Sequence, residues 1–124
     1  MMLVKNYLGL SDIHGIGLFA GEFIKKGQKI WEFIPGLDVE LPKSALDSPH
    51  ESIRSFLQRY TYPHPQDSGK VILDGDHGRF MNHSAHPNSD FRIPAIGLAL
   101  VDIAEGSEIT CNYDEFDPGF DLSH

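Results

Sequence analysis

Thiols, tryptophan and, late in the chain, basic residues are what this sequence lacks. Cys111 is its one cysteine in 124 residues, which excludes an internal disulfide and a thiolate zinc cluster. No apolar run approaches the roughly 20 residues that a membrane helix needs. The opening Met1-Met-Leu-Val-Lys-Asn6 has no charged region leading into a long apolar stretch, so no secretory leader is expected. These absences point to a soluble intracellular protein that makes no membrane contact. After Arg92 there is no lysine or arginine, and the net charge is -8 at pH 7. A phosphate backbone needs a basic face, so direct nucleic-acid binding is not expected. What stands in place of the missing cations is acid: Asp102, Glu105, Glu108, Asp114, Glu115, Asp117 and Asp121. Such a region concentrates and steers a cationic ligand, or serves only as a solvated face.

The length suits one compact domain, 1–124, with residues 114–124 as a short C-terminal cover segment. Extended pieces are expected at Leu3–Leu8, at Leu18–Ala20 after the glycine-punctuated turn Asp12–Gly17, and within Gln28–Leu41, broken at Pro35-Gly36. Further short strands are expected at Lys70–Leu73, Asp90–Ile93, Ala95–Ile103 and Glu108–Tyr113. One helix interrupts them. Ser48-Pro-His-Glu51 carries a capping serine, a proline at the first helical position and a glutamate at the third. Ile53, Phe56, Leu57 and Tyr60 then form one apolar stripe, which should end before Pro63. Ile24-Lys-Lys-Gly-Gln-Lys-Ile30 and Ile103-Ala-Glu-Gly-Ser-Glu-Ile109 share the frame I-x-x-G-x-x-I and predict two similar hairpin corners. The fold class is mainly β with one inserted helix, α+β by some criteria.

Two segments carry chemistry. Arg79-Phe-Met-Asn-His-Ser-Ala-His-Pro-Asn88 is too polar and too rich in turn formers for a strand or a helix, and its density of directional groups predicts bonds both to the chain and to a ligand. Glu108-Ile-Thr-Cys-Asn-Tyr113 alternates like a short strand and delivers a tyrosine at its end. Gly15-Ile-Gly17 lacks the third glycine and the strand-to-helix setting of a dinucleotide fingerprint. His77, His83 and His86 with Asp74 and Asp76 do not have the spacing of a metal site on one helical face, and His50, His64 and His124 read as surface residues. Cys111 inside a strand is a poor nucleophile.

Together the two segments resemble the signature pair of the SET domain, a family of S-adenosylmethionine-dependent protein-lysine methyltransferases. Ser11–Ala20 looks like the family's cofactor-approach segment, and Ala85 stands where the family's zinc-binding cysteine is usual. That implies a minimal type without zinc flanks, bacterial or viral, using no metal. The resemblance also implies a β-clip of short strands in small sheets with a C-terminal pseudoknot that brings Arg79–Asn88 beside Glu108–Tyr113. It assigns Tyr113 as the catalytic phenol, and His14, Gly15, Ile16, Gly17, Tyr60, Arg79, Asn82, His83 and Phe116 to the cofactor, with the Asn82 amide and the His83 main chain holding it. Phe33, Tyr62, Phe91, Cys111 and Tyr113 are assigned to the lysine channel, while Phe33, Tyr60, Tyr62 and Phe120 are the residues whose place at the site stays open. Asn112 replaces the family's usual aspartate.

The implied activity is methyl transfer from S-adenosylmethionine, leaving S-adenosylhomocysteine, to lysine in a basic histone-like or ribosomal protein. The alternative is a SET-fold module that binds a basic peptide or the methyl donor without turnover. The expected location is the cytoplasm in a bacterium, or the nucleus for a eukaryotic chain or one acting on host chromatin. A homodimer that completes the peptide groove is left open.

Overall fold

The computed structural model describes residues 1–117. Ten short strands and one α-helix follow one another as β1 (Asn6–Leu10), β2 (Ile16–Ala20), β3 (Lys29–Glu32), β4 (Val39–Pro42), α1 (Glu51–Tyr60), β5 (Thr61–Pro63), β6 (Lys70–Leu73), β7 (Asn82–His83), β8 (Ser89–Asp90), β9 (Ile96–Ala99) and β10 (Thr110–Cys111). They form small sheets ordered β1-β2, β3-β9-β8, β4-β6-β5 and β10-β7. All pairings are antiparallel except the last. Phe120 and His124 lie outside the described residues, as does the part of the expected cover segment beyond Asp117.

The two I-x-x-G-x-x-I frames are two copies of one corner. Gly27 and Gly106 take φ of +85° and +88°, a region that costs other residues strain. The Gly27 N–H donates to Ala99 O while the Ala99 N–H donates to Gln28 O; Gly106, Ala20 and Ser107 repeat this pattern. Ile24 and Ile103 bridge each other with reciprocal N–H to O bonds of 2.9 and 2.8 Å. Both isoleucines are buried beside Leu18, Ile30 and Ile109 at the centre of the core. At about 1.5–3 kcal/mol per buried aliphatic side chain, this cluster is what ties the scattered sheets together.

The helix departs from expectation at both its start and its face. It begins at Glu51, with His50 at the cap position. Ser48, held extended by the following proline, turns its hydroxyl onto the His50 N–H at 3.3 Å instead of capping the helix. Of the expected apolar stripe only Leu57 is buried; Ile53 is 48% and Phe56 38% exposed. The stripe does not enter the core but packs ring to ring, Phe56 on Tyr60 at 5.0 Å and Tyr60 on Phe80 at 5.4 Å. Thr61–Pro63 adds an unforeseen edge strand to β6, where a proline costs no ladder bond. Among the described residues no helix is long and apolar enough to cross a membrane.

Candidate active site

The polar segment and the tyrosine segment lie side by side. β7 and β10 pair in parallel with Asn82 opposite Thr110 and His83 opposite Cys111. The expectation that Arg79–Asn88 contains no regular structure is therefore corrected. Arg79 and Phe80 close a 3-10 turn and Asn82-His83 is a strand, because its partner β10 comes from far along the chain. Local propensity carries no information about such a pairing.

Most of the polar density is spent on this junction. Asn88 donates through Nδ2 to Glu108 O and accepts the Thr110 N–H on Oδ1, both at 2.8 Å. Ser89 donates its hydroxyl to Thr110 O. The His83 ring accepts the Tyr113 N–H on Nδ1 at 3.0 Å, which assigns its proton to Nε2. The Tyr113 hydroxyl donates to Met81 O at 2.7 Å. Tyr113 is thus fixed at both ends by the segment opposite.

Two cavities share a wall at Tyr113, Met81, Tyr60, Arg59 and Arg79. The first, about 580 Å³, is bounded by Ile13, His14, Gly15 and Ile16 of the β1–β2 turn and by Arg79, Phe80, Met81, Asn82 and His83. The Asn82 Nδ2 donates to His14 O, Ile16 O and the Glu108 carboxylate at 3.0–3.2 Å. Glu108 also accepts the Ser11 hydroxyl at 2.7 Å. One carboxylate and one amide therefore hold the glycine turn against β7. The Asn82 amide nitrogen, expected to meet a cofactor, is committed to this scaffold.

Gly17 is placed differently from its neighbours in the turn. It does not line the cavity; a Cβ there would lie 2.5 Å from Glu108 Oε2. The missing Cβ is what admits that carboxylate. Gly15, with φ +47° and open space around it, is the glycine at the cavity. The Arg79 guanidinium lies over the rings of Phe80 and Phe56 at 5.5 and 5.7 Å, and its buried Nε has no hydrogen-bond partner among the described residues. Arg59 reaches His14 Nδ1 at 2.9 Å across this cavity's rim.

The second cavity, about 370 Å³, is a box of rings. Trp31, Phe33, Tyr62, Phe91, Cys111, Tyr113 and Phe116 all line it, the five residues expected for the lysine channel among them. Phe116, which the resemblance assigns to the cofactor, also lines this cavity. Its ring contacts Phe91, Tyr62 and Tyr113 at 5.4, 5.6 and 5.8 Å, because the turn after Tyr113 folds it inward. His64 is also at this cavity and not at the surface: its side chain is 9% exposed and meets Glu40 at 2.7 Å. Glu115, Asp117 and Arg92 are also in the lining, with Arg92 paired to Asp90 at 2.8 Å.

Burial sets the ionisation of the groups inside. It pushes the Tyr113 phenol up, so the hydroxyl keeps the proton it donates to Met81 O, and it pushes the Cys111 thiol well up, which disfavours a nucleophilic thiolate. Asp74, also lining the ring box, is pushed up to about 6 by burial, against the opposing bond from the Tyr62 hydroxyl. Sequence reasoning missed Glu108 and Ser11 as scaffold and Asp74 as a cavity residue. The first two stood within the quoted motifs; the third was weighed only as a metal ligand, and nothing in the sequence placed it at a cavity.

Comparison with known proteins places the fold. The SET domain family profile matches residues 15–114. The histone-lysine N-methyltransferase NSD3 of Mus musculus is 34% identical over 84% of this chain and 8% of its own length. The chain spans only 2% to 8% of the curated relatives it matches. Among solved structures, a candidate histone methyltransferase of Plasmodium falciparum superposes with a TM-score of 0.63 at 22% identity, covering 99% of this chain and 100% of that one. The Polycomb Repressive Complex 2 of Chaetomium thermophilum bound to S-adenosylmethionine superposes with a TM-score of 0.66 at 23% identity, over 91% of this chain and 16% of that one. Both likenesses concern the fold.

Proposed function

From the premise that the chain belongs to the SET domain family, we propose that it transfers a methyl group from S-adenosylmethionine to the side-chain amine of a lysine in a basic protein, histone-like or ribosomal. The observation that carries this reading is the shared wall. Tyr113 borders both the polar cavity and the ring box, so a donor in one and an amine in the other would meet at its hydroxyl.

The residues present fit the donor. A carboxylate is the acceptor that the buried, unpartnered Arg79 Nε calls for, and the Arg59 guanidinium lies at the same cavity. The backbone of His14–Ile16, the Tyr60 ring, the His83 main chain and the Asn82 Oδ1 are the other groups that would hold it. When bound, S-adenosylmethionine supplies an electrophilic methyl on a positive sulfur.

The chain's own tasks are alignment, exclusion of water and removal of a proton from the lysine. Trp31, Phe33, Tyr62, Phe91 and Phe116 offer ring faces that attract an ammonium and exclude water from its path. Lysine, with a pKa near 10.4 in water, becomes more acidic in such a box, and the neutral amine is the nucleophile. Tyr113 does not act as a base: it is a protonated phenol that donates to Met81 O, and burial raises its pKa. It serves as an acceptor that keeps the reacting groups in line, a kind of alignment worth several kcal/mol. At the mouth, Glu115 and Asp117 favour a lysine embedded in a basic peptide, and this attraction weakens as salt rises.

The test is transfer of labelled methyl to a mixture of basic proteins. The parent should label a protein lysine. Tyr113→Phe should lower the rate by about 10²–10³ with donor binding nearly unchanged, and Asn82→Ala should weaken donor binding by releasing the glycine turn. Donor binding with no transfer by the parent would refute the enzyme reading.

A further inference from the structure

The transfer described above does not say where the lysine proton goes, and the ring box contains a buried acid with no assigned task. Asp74 follows β6, is 6% exposed, and accepts the Tyr62 hydroxyl on Oδ1 at 2.8 Å. Both side chains line the cavity that Tyr113 also lines. The Tyr62 ring touches Phe116 at 5.6 Å and Phe116 touches Tyr113 at 5.8 Å, so the two phenols flank one ring. A carboxylate in a wall of aromatic rings is unfavourable unless a cation comes to it.

The charges around Asp74 sharpen the point. Asp38 and Asp76 are near enough to raise its pKa, and the Met1 ammonium lowers it. These neighbours are already committed. The ammonium sits on Asp38 at 2.9 Å, and Asp76 accepts the Met2 and Gly78 N–H groups. Arg59, His64, Arg79, Arg92, Glu115 and Asp117 also line the cavity, while the side chain bonded to Asp74 is that of Tyr62. A lysine ammonium entering the box would bring Asp74 a cation that its own surroundings do not supply.

Building on the lysine-transfer reading, we propose that Asp74 is the acceptor of the substrate ammonium's proton, reached through the Tyr62 hydroxyl. In the step, an ammonium N–H bond breaks as its proton passes to the Tyr62 oxygen. The Tyr62 O–H bond breaks as that proton passes to Asp74 Oδ1. The amine lone pair is then free to attack the methyl, and the product leaves as a methylammonium. Asp74 gives its proton to water once the peptide has gone, so the balance needs no further reactant. A carboxyl raised to about 6 is a stronger base than an ordinary carboxylate and still ionised at neutral pH, which suits this task. Tyr62 is unsuited to be the final acceptor, because its own pKa is pushed up by burial and by Asp74.

The test is kcat against pH from 5 to 10 at saturating donor, with a basic protein substrate, for the parent, Asp74→Asn and Tyr62→Phe, beside donor binding by calorimetry. The parent should lose activity as pH falls through about 6 and level off above it. Asp74→Asn should be about 100-fold slower near pH 7.5, lack the break near 6 and gain on the parent as alkali takes over the proton. Tyr62→Phe should do the same, and neither should change donor affinity more than about threefold. An Asp74→Asn protein with the parent's kcat and the parent's acid limb would overturn the proposal while leaving lysine transfer intact. A parent that binds donor and transfers nothing at any pH would overturn both.

Discussion

The two cavities that meet at Tyr113 are built by opposite means. The polar cavity is a hydrogen-bonded scaffold in which the Glu108 carboxylate and the Asn82 amide hold the Ser11–Ile16 turn in place. The ring box is held by packing, with Trp31, Tyr62, Phe91, Tyr113 and Phe116 in a chain of edge contacts at 5.4–6.1 Å. A directional network fails when one member moves, whereas a packed wall degrades by volume. The first should be brittle and the second graded.

The largest expected effect tests the brittle side. Gly17→Ala would put a methyl 2.5 Å from Glu108 Oε2 and force the carboxylate off Ser11 and Asn82. Affinity for S-adenosylhomocysteine should fall by about 100-fold, or roughly 2.7 kcal/mol, with binding of a basic peptide unchanged by calorimetry. Equal loss at both sites would break the contrast.

A second test concerns the buried acid of the ring box. Folding raises the Asp74 pKa from 3.8 to about 6, so the folded state favours its protonated form. The stability this contributes is fully present below the unfolded value and is lost as pH rises through about 6. Its total is on the order of 3 kcal/mol at most. Chemical denaturation at pH 4 and pH 7.5 should show that loss in the parent and a much flatter profile in Asp74→Asn. Identical profiles would mean that the acid is solvated and not part of a dry wall.

The smallest effect separates the faces of α1. Phe56→Ala removes one ring beneath Arg79 and should weaken donor binding by about three- to fivefold, a cation–π contribution near 1 kcal/mol. Ile53→Ser, at a site 48% exposed, should leave stability within about 0.5 kcal/mol and binding unaltered.

The difference between the cavities also explains what could be read from the sequence. Most of the polar cavity comes from two contiguous stretches, His14–Ile16 and Arg79–His83, whose turn formers and polar density stand out in the sequence, while Arg59, Tyr60 and Tyr113 complete it from elsewhere. The ring box draws residues from Trp31 to Phe116 with no local period, and its five expected members rested on resemblance rather than on pattern. The glycine corners were legible because a positive φ leaves a mark at a single residue. The contact of Gly17 with Glu108 and the inward turn of Phe116 left no mark in the sequence, because both depend on tertiary structure. The helix stripe was visible, but which surface it covered was not.

If the two cavities take separate ligands, these enter from two sides and meet only at the Tyr113 wall. Amide chemical-shift mapping with S-adenosylhomocysteine and with a lysine-bearing basic peptide, added in turn, tests this separation most directly. The first should perturb His14–Ile16 and Asn82-His83, the second Phe33, Tyr62 and Phe91, and each should perturb Tyr113. Both ligands shifting one and the same set of residues, or Tyr113 answering to neither, would contradict it.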